Sequence, residues 1–536
     1  MTGAKAIVTS LEQEGVTTVF GYPGAAICPV YDCLRESPIC HILVRQEQNA
    51  GHAAAAYGRI SGRPGVCIAT SGPGALNLLT ALATAYMDSV PLVAITGQVP
   101  SDQLGRDVFQ EADITGAAEP FTKHSFLVKN AADIPRIMKE AFYLASTGRQ
   151  GPVLIDLPVD IQTQELDFLY PESVSIRGYN PSAKANPLQL RRVVEAIAAA
   201  RRPVICAGGG VFGAGARAQM RAFAERCRIP VVTTMMGLGL MPSSHPLYFG
   251  MLGSFGSSAA NYAIRHSDLL ILIGTRAGDR AMRQPGVLEK RTRIIHIDID
   301  PAEIRKNMEA NIPLVADARL ALEDLGENCQ AADTGMWLAE LKEKLGAGAP
   351  FSDCPAFVNP HRLVAALTER LDSDAIYIAD VGLNQIWSAR SARIKEGRFL
   401  TSGGMGTMGY ALPAAMGARL ATTARQVVAV MGDGGFQMSM QELATLCQHD
   451  IPVRMVVLRN DSLGLVRQIQ KQEYAGRYEA VDLSGGPDFA ALAQVYGIRA
   501  MTLSDNDEID EAVDALLAGE KSFLLQCLVS PDEPAL

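Results

Sequence analysis

A chain of 536 residues, 48% of them hydrophobic and 20% charged, is long enough for three or four domains that each bury an ordinary core. Its 48 Lys+Arg against 57 Asp+Glu leave a net charge of −9, and no basic run stands out, which excludes nucleic acid and anionic membrane surfaces as partners. No apolar stretch nears the ~18 residues of a membrane span. Met1–Gln13 lacks the layout of a signal peptide, and ten scattered cysteines form neither a CxxC nor a zinc spacing, so the expectation is a cytoplasmic protein with free thiols.

In chain order, apolar runs alternate with helical stretches, the pattern of α/β architecture with doubly wound parallel sheets. A first block, 1–165, predicts strands at Thr17–Phe20, His41–Val44, Gly65–Thr70 and Pro91–Thr96. The second of these runs into Arg45-Gln46-Glu47-Gln48-Asn49 and an alanine-rich helical stretch, Ala50–Tyr57. A central block, 186–328, predicts strands at Pro203–Ala207, Pro230–Thr233, Leu269–Ile273 and Ile294–Ile297. Its first strand is followed by Gly208-Gly209-Gly210-Val211-Phe212-Gly213, which fits G-x-G-x-x-G, a weak signal when it stands alone. The third block, 359–536, predicts strands at Ala375–Ile378, Gln426–Met431, Arg454–Leu458 and Phe523–Leu528. Between the blocks, Thr163–Asn186 and Asn328–Asn359 read as linkers, the latter with a short amphipathic piece at Met336–Leu345.

The third block carries the most specific chemistry. Strand Gln426–Met431 leads straight into Gly432-Asp433-Gly434-Gly435, and strand Arg454–Leu458 leads into Asn460-Asp461, 27 residues after Asp433. That is the length of one βαβ unit, so both side chains should lie just beyond the carboxyl ends of parallel strands, where open α/β sheets bind ligands. Adjacent strands run ~4.8 Å apart, close enough for a carboxylate and an amide oxygen to share one cation. These are hard ligands suited to Mg²⁺, and Gly434 and Gly435 leave N–H groups at a helix start for a diphosphate.

The Gly-Asp-Gly turn, the gap and the Asn together resemble the signature of the thiamine-diphosphate enzymes. The resemblance implies Asp433, Asn460 and the Ser462 carbonyl as Mg²⁺ ligands, with Gly382, Asn384, Gly406, Met408, Gly432, Gly434 and Gly435 around the cofactor. It makes Glu47 the carboxylate that bonds the pyrimidine ring of thiamine diphosphate, and it pairs the first domain of one subunit with the third of another, so that a homodimer or homotetramer is expected.

Phe20-Gly21-Tyr22-Pro23-Gly24, Ala85-Tyr86-Met87-Asp88-Ser89, Phe109-Gln110-Glu111, Thr122-Lys123-His124 and Ile295–Pro301 narrow the resemblance to acetolactate synthase catalytic subunits. These decarboxylate pyruvate and transfer the two-carbon unit to a second 2-oxo acid, pyruvate or 2-oxobutanoate, in branched-chain amino acid biosynthesis, in some cases with a small regulatory subunit. The resemblance implies catalytic roles for Gln110 and Lys123 and a substrate pocket of Gly24, Ala25, Ala26, Phe109, Leu465 and Ile469. It also implies FAD as a structural cofactor of the central domain, drawing on Arg149, Gly208, Gly209, Gly210, Arg276, Asp279, Arg280, Asp298 and Asp317.

The sequence departs from that pattern in several places. Ala25 stands where many members have Gly, Leu383-Asn384 replaces a Gln-His pair, and Ile469 replaces an aromatic. Arg276-Ala277-Gly278-Asp279-Arg280 and Ser254-Phe255-Gly256 alter two flavin segments, and the C-terminal tail is short. A different thiamine-diphosphate decarboxylase or carboligase is the nearest alternative. A nucleotide-dependent oxidoreductase would leave Glu47, Asp433 and Asn460 unexplained, and their presence argues against a non-catalytic relative.

Overall fold

The computed structural model describes residues 1–181, 183–282, 285–345, 354, 356–422 and 425–535. Three six-stranded sheets, every strand pair parallel, follow one another along the chain. The first holds β1 (Thr18–Tyr22), β2 (Cys40–Leu43), β3 (Gly65–Ala69), β4 (Leu92–Gln98), β5 (His124–Leu127) and β6 (Pro152–Pro158) in the order β2-β1-β3-β4-β6-β5. The central sheet holds β7 (Pro203–Ala207), β8 (Val231–Thr233), β9 (Tyr248–Met251), β10 (Leu269–Ile273), β11 (Arg293–Asp298) and β12 (Ile312–Val315) in the order β12-β11-β10-β7-β8-β9. The third holds β13 (Ile376–Ala379), β14 (Arg398–Leu400), β15 (Val427–Gly432), β16 (Arg454–Arg459), β17 (Arg499–Leu503) and β18 (Phe523–Leu528), and repeats the first sheet's pattern as β14-β13-β15-β16-β18-β17.

The order fixes where ligands can enter. In each sheet the sequence direction reverses near the middle, and the loops there diverge to opposite faces and open a crevice. That point lies between β1 and β3, between β7 and β10, and between β13 and β15. The Gly24, Gly208 and Asp433 turns therefore each flank a switch point, while strand burial on both faces explains the continuous apolar runs.

The predicted Met336–Leu345 piece is the helix Gly335–Leu345, and it is not linker. Trp337, Leu338 and Leu341 are buried in the central domain's core, and the Trp337 indole N–H donates to the Pro203 carbonyl at 3.2 Å. Among the described residues, no helix is long and apolar enough to cross a membrane.

The first and third domains meet through helices Glu47–Ser61 and Ala411–Ala421, whose buried faces are mostly Ala and Gly. A Cβ on Gly417 would stand 1.9 Å from the Ala53 carbonyl oxygen, so only glycine permits this crossing. Beside it, the Arg59–Asp88 ion pair is buried at 2.7 Å, and Asp88 also accepts N–H groups of Gly403 and Gly404.

His52 lies in the same interface, edge-on to Tyr410 at 5.4 Å, with neither ring nitrogen partnered. Burial, and then the Arg59 charge, pushes its pKa down from 6.5 to about 3. The folded chain thus keeps His52 neutral where an unfolded imidazole takes a proton. Its contribution to stability is whole above 6.5 and is lost progressively as pH falls toward 3. In urea titrations at stepped pH, His52→Leu should remove this proton uptake. The difference in unfolding free energy between the two proteins should then shift by ~1.4 kcal/mol per pH unit below the unfolded value. Parallel pH profiles would show that His52 is protonated in the folded protein.

Candidate active site

In the third sheet, Met431 pairs with Val457 and Gly432 with Leu458, so Asp433 and Asn460 leave adjacent strands within one residue of each other. Asp433 is buried and spans both loops. One carboxylate oxygen accepts the Gly434 N–H at 2.9 Å, and the other accepts those of Asn460 at 3.2 Å and Asp461 at 2.6 Å. Burial raises its pKa to about 6 against the pull of those bonds. A nearby cation would pull it back down. The left-handed backbone at Asp461 turns the chain so that the Asn460 amide oxygen accepts the Ser462 N–H at 3.2 Å.

One carboxylate, one amide oxygen and one backbone carbonyl make a hard, oxygen-only set that fits Mg²⁺. Among the described residues no group of three or more His, Cys, Asp or Glu could hold a metal ion, and this set, with a single carboxylate, is not of that kind. Asn384 and Gly432 line the same turn: a Cβ on Gly432 would lie 3.6 Å from the Asn384 Nδ2. The buried Asn384 amide donates to the Val381 carbonyl at 3.1 Å and leaves its oxygen without a partner. Leu383 packs beside Gly464 instead of offering a polar group.

Asp380, to which the sequence reading gave no role, organises the neighbouring loop. It is fully buried and accepts N–H groups of Val381, Gly409 at 3.0 Å and Ala411 at 2.9 Å. A Cβ on Gly435 would come within 2.7 Å of it. These bonds fix the Gly406-Thr407-Met408-Gly409 turn, whose Met408 methyl lies 3.4 Å from where a Gly434 Cβ would be. The available signal was a strand-ending Asp followed by Val-Gly, the same layout as Asp433.

The second half of the site gathers at the first sheet's switch point. Glu47 opens its helix, half-buried, and accepts from Asn77 at 2.9 Å. Cβ positions on Gly24 and Gly74 would touch Thr70, and the one on Gly74 would also lie 3.2 Å from a Glu47 oxygen. Thr70 Oγ1 is buried without a partner. A Gly72 Cβ would meet the Gln110 carbonyl oxygen at 2.8 Å, and Gln110 itself holds a φ of 59°. The structure thus brings together Glu47, Gly24, Thr70 and Gln110, with Ala25 and Ala26 in the turn that follows Gly24.

Lys123 does not join them. Its ammonium donates to the Leu144 and Thr147 carbonyls and to Tyr179 Oη, closing off helix Ile134–Ser146 with all three protons spent. Desolvation first, then Arg149, lowers its pKa to about 8.

Among the described residues, no hydrogen bond or ion pair joins Glu47 to the Asp433 turn within one chain. Each half also leaves apolar groups uncovered: Tyr22, Leu76 and Phe109 on the first, Met438, Val466 and Ile469 on the third. Helix Gly464–Glu473, which carries Leu465 and Ile469, has no fully buried residue.

The flavin set fares unevenly. Arg149 pairs with Asp300 at 3.3 Å and Glu303 at 2.7 Å. Asp317 caps helix Ala318–Asn328, and Asp298 accepts the Asp300 N–H. Gly208 and Gly210 donate to the Ile273 and Gly274 carbonyls, and their absent Cβ atoms let the two turns touch. These five groups serve the protein itself. Asp279 and Arg280 face solvent, 3.9 Å apart, and with Arg276 and Gly209 they are what remains for an anionic dinucleotide.

Comparison with known proteins agrees with this layout. Residues 1–117 match the thiamine pyrophosphate enzyme N-terminal TPP binding domain, 190–325 the central domain and 380–527 the C-terminal TPP binding domain. The chain is 45% identical to a probable acetolactate synthase large subunit of Methanocaldococcus jannaschii, over 99% of this chain and 93% of that one. It is 46% identical to the acetolactate synthase large subunit of Corynebacterium glutamicum, over 99% and 87%. The Lactococcus lactis large subunit is 41% identical over 100% and 93%. With three domain models matched along its length and relatives of 41–46% identity that it covers almost end to end, the chain belongs to the acetolactate synthase large subunits of the thiamine pyrophosphate enzyme family.

Proposed function

We propose that the chain decarboxylates pyruvate and transfers the resulting two-carbon unit to a second 2-oxo acid, pyruvate or 2-oxobutanoate, using thiamine diphosphate and Mg²⁺. The observation that carries the reading is the Asp433–Asn460 juxtaposition beyond adjacent strands, beside a glycine-lined turn. Thiamine diphosphate, when bound, supplies an acidic carbon that attacks the 2-oxo carbonyl and a ring that accepts the charge as carbon dioxide leaves. Asp433, Asn460 and the Ser462 carbonyl would hold the metal, and the Gly434 and Gly435 N–H groups would face the diphosphate. Glu47 would hold a proton at the pyrimidine nitrogen, and the Gly24–Ala26 turn with Gln110 would orient the substrate. Phe109, Leu465 and Ile469 would supply apolar contact to the acceptor.

The uncovered apolar groups on both halves support a site completed by a second copy of the chain, in a homodimer or homotetramer. A small regulatory subunit belongs to the same reading because several relatives bear the name large subunit. A cytoplasmic setting belongs to it too, and the ten free cysteines accord with that. Incubating purified protein with pyruvate, Mg²⁺ and thiamine diphosphate and identifying the product tests the proposal. Acetolactate is expected; acetaldehyde alone would make the chain a decarboxylase, and no turnover would reject the reading.

Flavin enters through Arg276, Gly209, Asp279 and Arg280 as a structural ligand of the central domain, whose strand order is that of dinucleotide-binding sheets. The visible spectrum of the purified protein checks this. Bound flavin that pyruvate leaves oxidised during turnover is expected, whereas a colourless and fully active protein would remove flavin from the account.

A further inference from the structure

We propose that Glu442, a carboxylate of the third domain, is a positioning residue for Glu47, gripping the turn that carries it through Arg45 N and Asn49 Nδ2. The inference rests on the reading of Glu47 as the proton-handling carboxylate, and it adds a group that never touches cofactor or substrate.

Glu442 is fully buried in the short helical turn Met440–Glu442, nine residues beyond Asp433. Its Oε1 accepts the Arg45 N–H at 2.9 Å and the Asn49 amide N–H at 2.8 Å, and its Oε2 accepts the Thr445 hydroxyl at 2.6 Å. Arg45 lies two residues before Glu47 and Asn49 two residues after, so the bonds bracket the carboxylate. The helix that Glu47 opens has no side-chain cap of its own, because Gln46 at its start makes no capping bond. An isolated first turn without such an acceptor frays. Glu442, from another domain and more than 390 residues away in sequence, instead ties down the residue before that start and the Asn49 side chain on the first turn.

The surroundings lace the same turn. The Leu43 N–H donates to His449 Nε2 at 3.1 Å, and the Arg45 guanidinium donates to the Leu43 carbonyl and to Gln448 Oε1 at 2.6 Å. Glu442 is the member of this set that reaches both flanks of Glu47. The Arg45 N–H and the Asn49 amide can only donate, and the Arg45 N–H reaches Oε1 at 2.9 Å and Oε2 at 3.2 Å, so both oxygens of the side chain are called on as acceptors. A carboxylate is acceptor-only when ionised, whereas a glutamine would set its own NH₂ against one of those donors. Aspartate keeps the charge and falls one methylene short.

The test separates grip from chemistry. In the cofactor-free full-length protein, Glu442→Gln should speed amide hydrogen exchange across residues 43–50 by about tenfold or more, while β15, around residues 427–432, stays unchanged. In the loaded enzyme it should lower kcat by about 10²-fold, the scale of a misplacement near 1 Å, and leave the cofactor Kd and the pyruvate KM nearly unchanged. Glu442→Asp should recover part of the loss. A double variant with Glu47→Gln should be no slower than Glu47→Gln alone, because both changes act through one group. Asn49→Ser removes the other end of one bond, and should show a weaker form of the same exchange and kcat pattern if Glu442→Gln does not fold. Unchanged exchange at 43–50, or a kcat loss that adds to that of Glu47→Gln, would overturn the proposal. An active Glu47→Gln protein would instead reject the role of Glu47, whatever the exchange shows.

Discussion

Replacing Glu47 with glutamine should lower kcat by about 10²–10⁴-fold while thiamine diphosphate still binds with nearly its original affinity. The two consequences separate because the site has two halves. On the proposed reading, affinity comes from the Asp433 turn, where a buried carboxylate tied to the Asn460 loop would hold the metal. Proton transfer would fall to a carboxylate on the other half, held by Asn77 and close to Gly74. Glutamine keeps the shape and can still accept from Asn77, but it cannot carry the proton. Titrating cofactor into the variant and following acetolactate formation gives both numbers. A protein that retains most of its turnover would remove Glu47 from the chemistry, and one that no longer binds cofactor would show that Glu47 contributes affinity instead.

Asp433→Ala should give the reverse pattern. The substitution removes the anionic metal ligand and leaves the Asn460 and Asp461 N–H groups unpaired in a buried turn, at about 1–3 kcal/mol for each such donor. The loop that presents the Asn460 and Ser462 oxygens would then relax, so all three ligands suffer from one change. We expect apparent affinities for Mg²⁺ and thiamine diphosphate to fall by about 10²-fold or more, with activity partly regained at high concentrations of both. Asp433→Asn removes the charge and keeps only one of the two acceptor oxygens, so its NH₂ would face either the Gly434 N–H or those of Asn460 and Asp461. It should lose less affinity than Asp433→Ala, because one oxygen of the turn survives. Titrations of Asp433→Ala that match the unmodified protein would exclude Asp433 as a ligand.

Much of this was legible in the sequence, and the gaps have physical causes. Each of the twelve apolar runs read as strands forms one, within two residues at each end. Five of the strands that were not foreseen, β5, β9, β12, β14 and β17, are sheet edges. An edge strand buries less and needs no continuous apolar run; His124–Leu127 and Arg499–Leu503 are mixed polar segments. The sixth, β6, is central but carries Asp156 within Pro152–Pro158. That carboxyl is buried between Thr96 and Gln98, and desolvation raises its pKa to about 7. A buried acid satisfied by side chains of the next strand looks like a loop residue when only one strand is read. The juxtaposition of Asp433 and Asn460 was legible because the two residues lie one βαβ unit apart and follow strands directly. Asp380 and Glu442 were not, since their partners lie 29 to 397 residues away along the chain. For Lys123, the motif around it said nothing about the helix end that consumes its protons.

The Ala53–Gly417 crossing has a consequence for how the chain is made. The two helices that meet there are 364 residues apart, so during synthesis the first domain leaves the ribosome long before its cover exists. At ~5–20 residues per second, the alanine-rich face of helix Glu47–Ser61 waits roughly 20–70 s for helix Ala411–Ala421. Small side chains make that wait tolerable: a face of Ala and Gly offers a nascent neighbour little to grip, where a leucine-rich face would invite association between adjacent nascent chains. The close fit that excludes a Cβ at position 417 thus also keeps the unfinished chain from sticking to its neighbours.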